Sequence, residues 1–299
     1  MARHLLDTLK KLRGLSRPTP PGPPRVSESV GPKDHVRVIL GFVEMVDLGA
    51  ALEAAVEGCE AFPGSADLWF LRFNLLMRVE ELDLAGDALQ HIVATDPLNA
   101  QGAGVCLEIL EAERARRRVL AGAERVEAPE GLSVAAERCA EALVALGAGD
   151  RVAAEAAVQA SRLAAPRLAG DVDDRPFREL RDVDDTLAPV LELLLPGRYQ
   201  WVPLESIAWI EVLPIRTFLD FLWVPAHVEL RGGREIRGHV PGSYVGTGRR
   251  DDDRLRLGRE TAWEALTPAL SRAVGHRRFQ TEDRVVDLTQ IQTLNFASR

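Results

Sequence analysis

The most constraining feature of this chain is a spacing. Ala85, Leu89 and Pro97 are matched by Ala51, Ala55 and Pro63 about 34 residues earlier, a period typical of two-helix repeats. Small residues let two helices approach closely, and proline cannot continue the second helix. A unit of this kind buries its apolar face only against a neighbour, so the period dictates a stack of antiparallel helices. Two units are expected from Asp34 to Pro97, with Pro97–Ala121 as a following helix that caps them. A looser third unit runs from Leu132 to Pro166. There Ala154, Val158 and Pro166 hold the second-helix positions and Gly147–Asp150 make the turn.

With Trp69 included, the spacing is that of the tetratricopeptide pattern. After Asp171 the texture changes. Trp201, Val202, Ile207, Trp209, Ile210, Val212, Trp223, Val224 and Val228 are the large, aromatic or β-branched residues that strands favour. Both tyrosines and four of the five tryptophans lie beyond position 198. Ser206–Leu213 and Ala226–Leu230 are expected strands, the latter turning at Arg231-Gly232-Gly233-Arg234 into a return strand, Glu235–Val240. Pro241–Arg259 is expected as a polar loop, and Arg277–Gln280, Val285–Leu288 and Ile291–Phe296 as short strands. Leu187, Val190, Leu191 and Leu194 have helical spacing, which predicts a helix over Asp185–Leu195 ended by Pro196-Gly197. The expected fold is α+β: tetratricopeptide-like helical hairpins over 34–168, then a mixed, mainly antiparallel α+β domain over 169–299.

Residues 1–33 stand apart. Met1–Leu15 place Leu5, Leu9 and Leu12 on one helical face with Lys10, Lys11 and Arg13 elsewhere, and Arg17–Pro32 form a proline-rich linker. This suits self-docking or partner docking of a tethered helix, with an anionic membrane surface as the alternative. The segment lacks the continuous apolar core of a secretory signal, and no apolar run reaches the length of a membrane span. A net charge of −8 argues against a general nucleic-acid binder. Cys59, Cys106 and Cys139 are odd in number, widely spaced and set in helical text, as reduced core residues of a cytoplasmic protein would be.

Candidate chemistry is sparse. Asp171, Asp173, Asp174, Asp182, Asp184 and Asp185 raise a metal site, but Pro176 and Phe177 interrupt the run and the glycine of a calcium loop is missing. Helix-capping and solvated loop carboxylates are the expected reading. The six histidines lack HxxxH spacing, although His227 and His239 could face each other across the hairpin. Ser243 has proline where a nucleophile elbow has glycine, and Gly242, Gly246 and Gly248 are followed by no phosphate-binding lysine. No catalytic residue, cofactor or metal is expected. Trp201-Val202-Pro203 and Trp223-Val224-Pro225 are twin motifs in which proline within strand text marks an edge or a bulge. Arg198, Tyr199, Trp201, Pro203, Trp223, Pro225 and Tyr244 are therefore the candidate partner-binding residues, because aromatic and arginine side chains anchor peptides at such edges.

GRYQWVPLESI, FLWVPAHVEL, PGSY and DDDRLRLGRETAW, in that order, resemble the ImpE (SciE, TagJ) family over roughly residues 165–290. The resemblance implies a non-enzymatic accessory protein of type VI secretion, linked to the contractile sheath. It implies as partners the N-terminal helix of the small sheath subunit (TssB-like) and a ClpV-like ATPase that recycles the sheath. Two other readings stand beside it. One is a general tetratricopeptide peptide-binding scaffold. The other is a metal-dependent hydrolase using Asp171–Asp185 with the Gly242–Gly248 loop.

Overall fold

A computed structural model describes residues 31–297. The basic segment over 1–15 and nearly all of its linker lie outside the described residues. Helices α1 (Pro32–Glu44), α2 (Leu48–Ala61), α3 (Ala66–Arg78) and α4 (Leu82–Thr95) make two successive hairpins where the period placed them. Pro32 opens α1 at a position whose N–H would have no helical partner. Asp47 caps α2 by accepting the Ala50 N–H at 2.8 Å. Ala51, Ala55 and Ala85 are wholly buried, so the helices do meet at the small residues. Pro63 also joins the hairpins. Its carbonyl accepts from Trp69 Nε1 at 2.9 Å and lies 2.8 Å from His91 Nε2, and those two rings stack at 3.9 Å.

Helix α5 (Ala100–Leu120) follows, and α6 (Val134–Gly147) with α7 (Arg151–Ala164) forms a third hairpin. Ser133 and Asp150 cap this hairpin's helices through the Ala136 and Ala153 N–H groups. Ala136, Cys139 and Leu143 of α6 join the core of α3–α5, while Ala154 and Val158 of α7 pack with Leu270.

The rest of the described chain is mainly strands and the loops that join them. Its first seven strands are β1 (Gly170–Val172), β2 (Arg175–Phe177), β3 (Leu180–Asp182), β4 (Val190–Leu195), β5 (Arg198–Pro203), β6 (Ile207–Val212) and β7 (Trp223–Leu230). Then come β8 (Glu235–Pro241), the short helix α8 (Asp253–Arg256), β9 (Thr261–Thr267) and β10 (Leu270–Gly275). The last three are β11 (Arg278–Thr281), β12 (Val285–Asp287) and β13 (Thr293–Phe296). Eight form one antiparallel sheet in the order β2-β1-β13-β6-β7-β8-β4-β5; β12-β11-β3 form a second sheet and β9–β10 a hairpin. The β7–β8 turn falls at 231–234 as expected, with Gly233 supplying the positive φ of 80° that a side chain would resist.

The expected helix over 185–195 does not form. Thr186–Pro189 are turn and Val190–Leu195 are strand β4, central between β8 and β5. Pro189 would sit inside that helix without an N–H to give it. Both faces of β4 are buried, so its sequence is a continuous apolar run rather than an alternating one, and such a run also satisfies helical spacing. The β9–β10 hairpin and β1–β3 lie where no strand was expected.

The large sheet divides two cores. Leu191, Leu193 and Leu195 of β4, Val202 of β5, and Val224, Ala226, Val228 and Leu230 of β7 point to an apolar core shared with β3 and β11. Val190 and Leu194 of β4, Tyr199 and Trp201 of β5, and Trp223 point the other way, into the core shared with α3–α6. Strand alternation thus sends every second residue toward the helices.

Candidate functional site

The helix-facing side of the sheet carries a buried polar grouping. Glu192, in the middle of the buried β4, is fully enclosed between leucines and must find donors there. It accepts from Arg116 of α5, with Nε at 2.8 Å and an outer nitrogen at 3.2 Å, and also from Arg277 and the Tyr199 hydroxyl. Trp201 Nε1 donates to that hydroxyl at 2.6 Å. Arg277, itself 0% exposed, reaches Asp182 at 2.6 Å and the Pro241 carbonyl at 2.9 Å, and its guanidinium lies 5.0 Å from the centre of the Tyr244 ring. The Tyr244 hydroxyl donates to Asp182 at 2.8 Å. Arg116 continues to Glu113 at 3.1 Å and to the Ser243 carbonyl at 2.9 Å.

The electrostatics follow from burial. Enclosure pushes Asp182 up to about 6, with Arg277 opposing the rise, and lowers Arg277 to about 10. Burial also holds the Tyr199 and Tyr244 hydroxyls above their ordinary range, so both stay protonated donors at neutral pH. The thiols of Cys59 and Cys106 are pushed to about 11 and that of Cys139 to about 12, chiefly by burial, which leaves them protonated and poorly nucleophilic.

A second clasp lies beside the first. The 242–248 loop wedges against the α3–α4 turn, where a Cβ at Gly248 would meet Val79 and the Arg78 carbonyl at 2.8 and 2.9 Å. The Gly246 and Gly248 N–H groups donate to Glu80 at 2.6 and 3.3 Å, and Arg117 pairs with that carboxylate at 2.9 Å. The glycine loop does cradle an anion, and the anion is the chain's own Glu80, held at a φ of 62°. Between the clasps lies a cavity of ≈20 Å³, room for one or two waters, bordered by Arg78, Glu80, Glu113, Arg116, Arg117 and Arg256.

This arrangement relocates the sequence candidates. Trp201 is 0% exposed, and Tyr199, Trp223 and Tyr244 at most 4%, so these rings are interior contacts and line no exposed groove. Of the twin prolines, Pro203 ends the ladder of the edge strand β5, whereas Pro225 lies in β7, interior to the sheet and paired with His239, so the second motif marks no edge; and the β5 edge is already covered. The Trp201 N–H donates to the Glu127 carbonyl at 2.9 Å, and the Gly197 N–H to the Glu108 carbonyl at 3.0 Å. Pro203 is buried, Pro225 half-buried where the β6 pairing stops, and Arg198 exposed. The aspartates part company. Asp182, Asp184 and Asp185 are buried anchors rather than solvated caps: Asp184 binds Thr186 and the Ala273 N–H, and Asp185 binds Arg162 at 2.6 Å. Asp173 instead accepts the Gln292 and Thr293 N–H groups at 2.9 and 2.7 Å, and Asp171 accepts from Asn295. Among the described residues no three His, Cys, Asp or Glu side chains converge as metal ligands. His227 sits across from Arg237 and His239 across from Pro225, so the two imidazoles are not cross-strand partners. Arg277, Arg116, Glu113 and Arg78 escaped the sequence reading. Glu192 alone carried a signal there, as a lone carboxylate inside VLELLL.

Comparison with known proteins decides what this joint belongs to. The ImpE family model, described as ImpE protein, matches residues 174–295. The chain is 32% identical over 252 residues to the type VI secretion system accessory component TagJ of Pseudomonas aeruginosa, covering 83% of this chain and 87% of that protein. The chain belongs to the ImpE/TagJ family. The crystal structure of protein VPA1032 from Vibrio parahaemolyticus has the same fold, with a TM-score of 0.81 at 22% identity over 87% of this chain and 98% of the other. The four motifs of the ImpE/TagJ resemblance meet at the joint. They bring Tyr199 and Trp201, Trp223, Tyr244, and Arg256 to one place. Among the described residues, no helix of this family member is long and apolar enough to cross a membrane.

Proposed function

We propose that this protein is a non-enzymatic adaptor of a type VI secretion system. It binds the N-terminal helix of the small sheath subunit (TssB-like) and modulates sheath assembly, or sheath recycling by a ClpV-like ATPase, in the cytoplasm. The observation that carries this reading is the 32% identity to TagJ over most of both chains. The junction supports it physically. Buried ion pairs fix α5 against the sheet, and a rigid frame lowers the ordering cost of holding a partner helix. A partner helix would offer apolar anchors at i, i+3, i+4 and i+7. The helical region keeps apolar side chains in solvent, among them Leu98, 94% exposed, and Val152 and Leu163 on α7, 79% and 81% exposed. Of the seven residues first considered as anchors, Arg198 is the exposed one and stays the candidate at the β5 end.

A labelled peptide of the sheath subunit's N-terminal helix, titrated with the full chain and followed by fluorescence anisotropy, tests this. Saturable binding that a sequence-scrambled helix of equal composition does not show is the expected result. Equal binding of the scrambled peptide favours a general peptide scaffold, the second reading, which the succession of helical hairpins suggests. No binding of either peptide ends both.

A further inference from the structure

In a stack of helical hairpins each helix packs between its neighbours in the chain, and an end helix needs a cap. Helix α1 packs on α2 and α3, and among the described residues no helix precedes it. Its Ile39 and Val43 turn to the interior, and His35 faces α2, edge-on to the Phe62 ring at 5.5 Å. On the strip adjoining His35, Val38, Phe42 and Met45 stand at i, i+4 and i+7 and are half-buried. Val36 and Leu40, half-buried too, lie on the other side of Ile39 around the helix. The surroundings are acidic: residues 31–61 hold six carboxylates against Lys33 and Arg37. Three of these, Glu53, Glu57 and Glu60, are exposed along α2 and form no ion pair among the described residues.

We propose that the chain's own segment Met1–Leu15 docks antiparallel along α1, with Leu5, Leu9 and Leu12 on the Val38–Phe42–Met45 strip, and caps the stack. Spacing, charge and reach choose this occupant. The two apolar strips share the i, i+4, i+7 period, so one covers the other along its length. The segment carries Arg3, Lys10, Lys11 and Arg13 against the single carboxylate Asp7, beside a helix whose exposed carboxylates have no cation. Antiparallel docking brings Leu15 back to the end of α1 where the linker rejoins it. Residues 16–31, which reach at most roughly 50 Å when extended, then have only a loop to close. The direction also continues the up-and-down order of α1, α2, α3 and α4.

Hydrogen exchange and zero-length carbodiimide cross-linking of the full chain read the contact. Leu9→Asp spoils the apolar strip of a segment outside the hairpins, so the hairpins stay folded. The α1 amides of that variant then exchange faster than those of the wild type, by roughly threefold to tenfold. Leu98→Asp, at a leucine 94% exposed in a different turn, leaves α1 exchange unchanged. Carbodiimide joins a lysine to a touching carboxylate, and two of the chain's three lysines are Lys10 and Lys11. The expected product links one of them to a carboxylate of α2 within a single copy, and Leu9→Asp loses it. Equal α1 exchange in the wild type and Leu9→Asp, links only to other elements, or links only between copies overturn the proposal. Equal exchange combined with loss of Leu9→Asp binding to phosphatidylserine vesicles overturns it in favour of a membrane surface.

Discussion

The two faces of the large sheet solve the same problem in opposite ways. On one, Leu191, Leu193, Val202, Val224, Val228 and Leu230 fill a core with no ionised group between them. On the other, one residue along in each strand, Glu192, Tyr199 and Trp201 meet Arg116 and Arg277. An aliphatic face holds a sheet together in many registers of the opposing layer. An ionic face with directional donors holds one. The difference teaches that the sheet's own stability and the orientation of the helices on it are carried by separate sets of residues.

The largest break should come from removing one partner of the ionic face. Arg277→Met leaves Asp182 short of its cation and Glu192 short of one donor, at a cost of about 3–5 kcal/mol in urea denaturation. Leu193→Ala on the dry face costs about 2–5 kcal/mol through lost burial and a cavity. The two losses differ in character. The Leu193→Ala loss is the same at pH 5 and pH 8, whereas the Arg277→Met loss shrinks at pH 5, where Asp182 takes up a proton. Equal pH dependence of both variants would mean that the ionic face is not acting as a charged network.

Asp182 sharpens the contrast further. Its folded value, about 6, lies above the ordinary 3.8 because burial outweighs the help of Arg277. Its contribution to stability is therefore fully present below about pH 4 and is lost as pH rises through about 6. Asp182→Asn removes this titration. The stability of wild type relative to Asp182→Asn should fall by roughly 2–3 kcal/mol between pH 4 and pH 7. Parallel profiles would show that Asp182 is ionised throughout.

A smaller effect belongs to the helices. Ala85 is 0% exposed in the core shared with α3–α5, so Ala85→Leu overpacks the contact and costs about 1–3 kcal/mol. An unchanged denaturation midpoint would remove Ala85 from the helix contact.

What the sequence made legible follows the same division. The first two helical hairpins were legible because their signal is local: Ala51, Ala55 and Pro63 recur as Ala85, Leu89 and Pro97. The β7–β8 hairpin announced itself through its turn chemistry. The ionic face did not, because its pairs are distant in sequence, 76 residues apart for Arg116 and Glu192 and 95 for Asp182 and Arg277. No local pattern marks such a pair. The strand β4 was hidden for a related reason: burial on both faces erases the alternation that would reveal it. The aromatic candidates lie together in the interior, and the sequence did not show it because a tryptophan at a covered edge and one at an open edge have the same sequence.

The smallest effect separates the two aspartate clusters from a metal site. Calcium or magnesium needs oxygen ligands that converge and are free to coordinate. In the distal cluster Asp173 spends one oxygen on two backbone N–H groups near β13, and Asp171 spends one on Asn295, so both act as fasteners of the β1–β2 end. In the junction cluster Asp182, Asp184 and Asp185 point to three different partners: Arg277, the Ala273 N–H and Arg162. A divalent ion would have to displace an arginine already within 2.6 Å of Asp182 or of Asp185. A chelator should therefore leave Tm unchanged, and added calcium or magnesium at matched ionic strength should leave it unchanged as well. A cation-specific rise would show a ligand held by the folded state alone. If Asp173→Asn abolished that rise, the distal cluster would become a binding site, and the β1–β2 end would have to be compared with the joint as a second charged centre of the sheet.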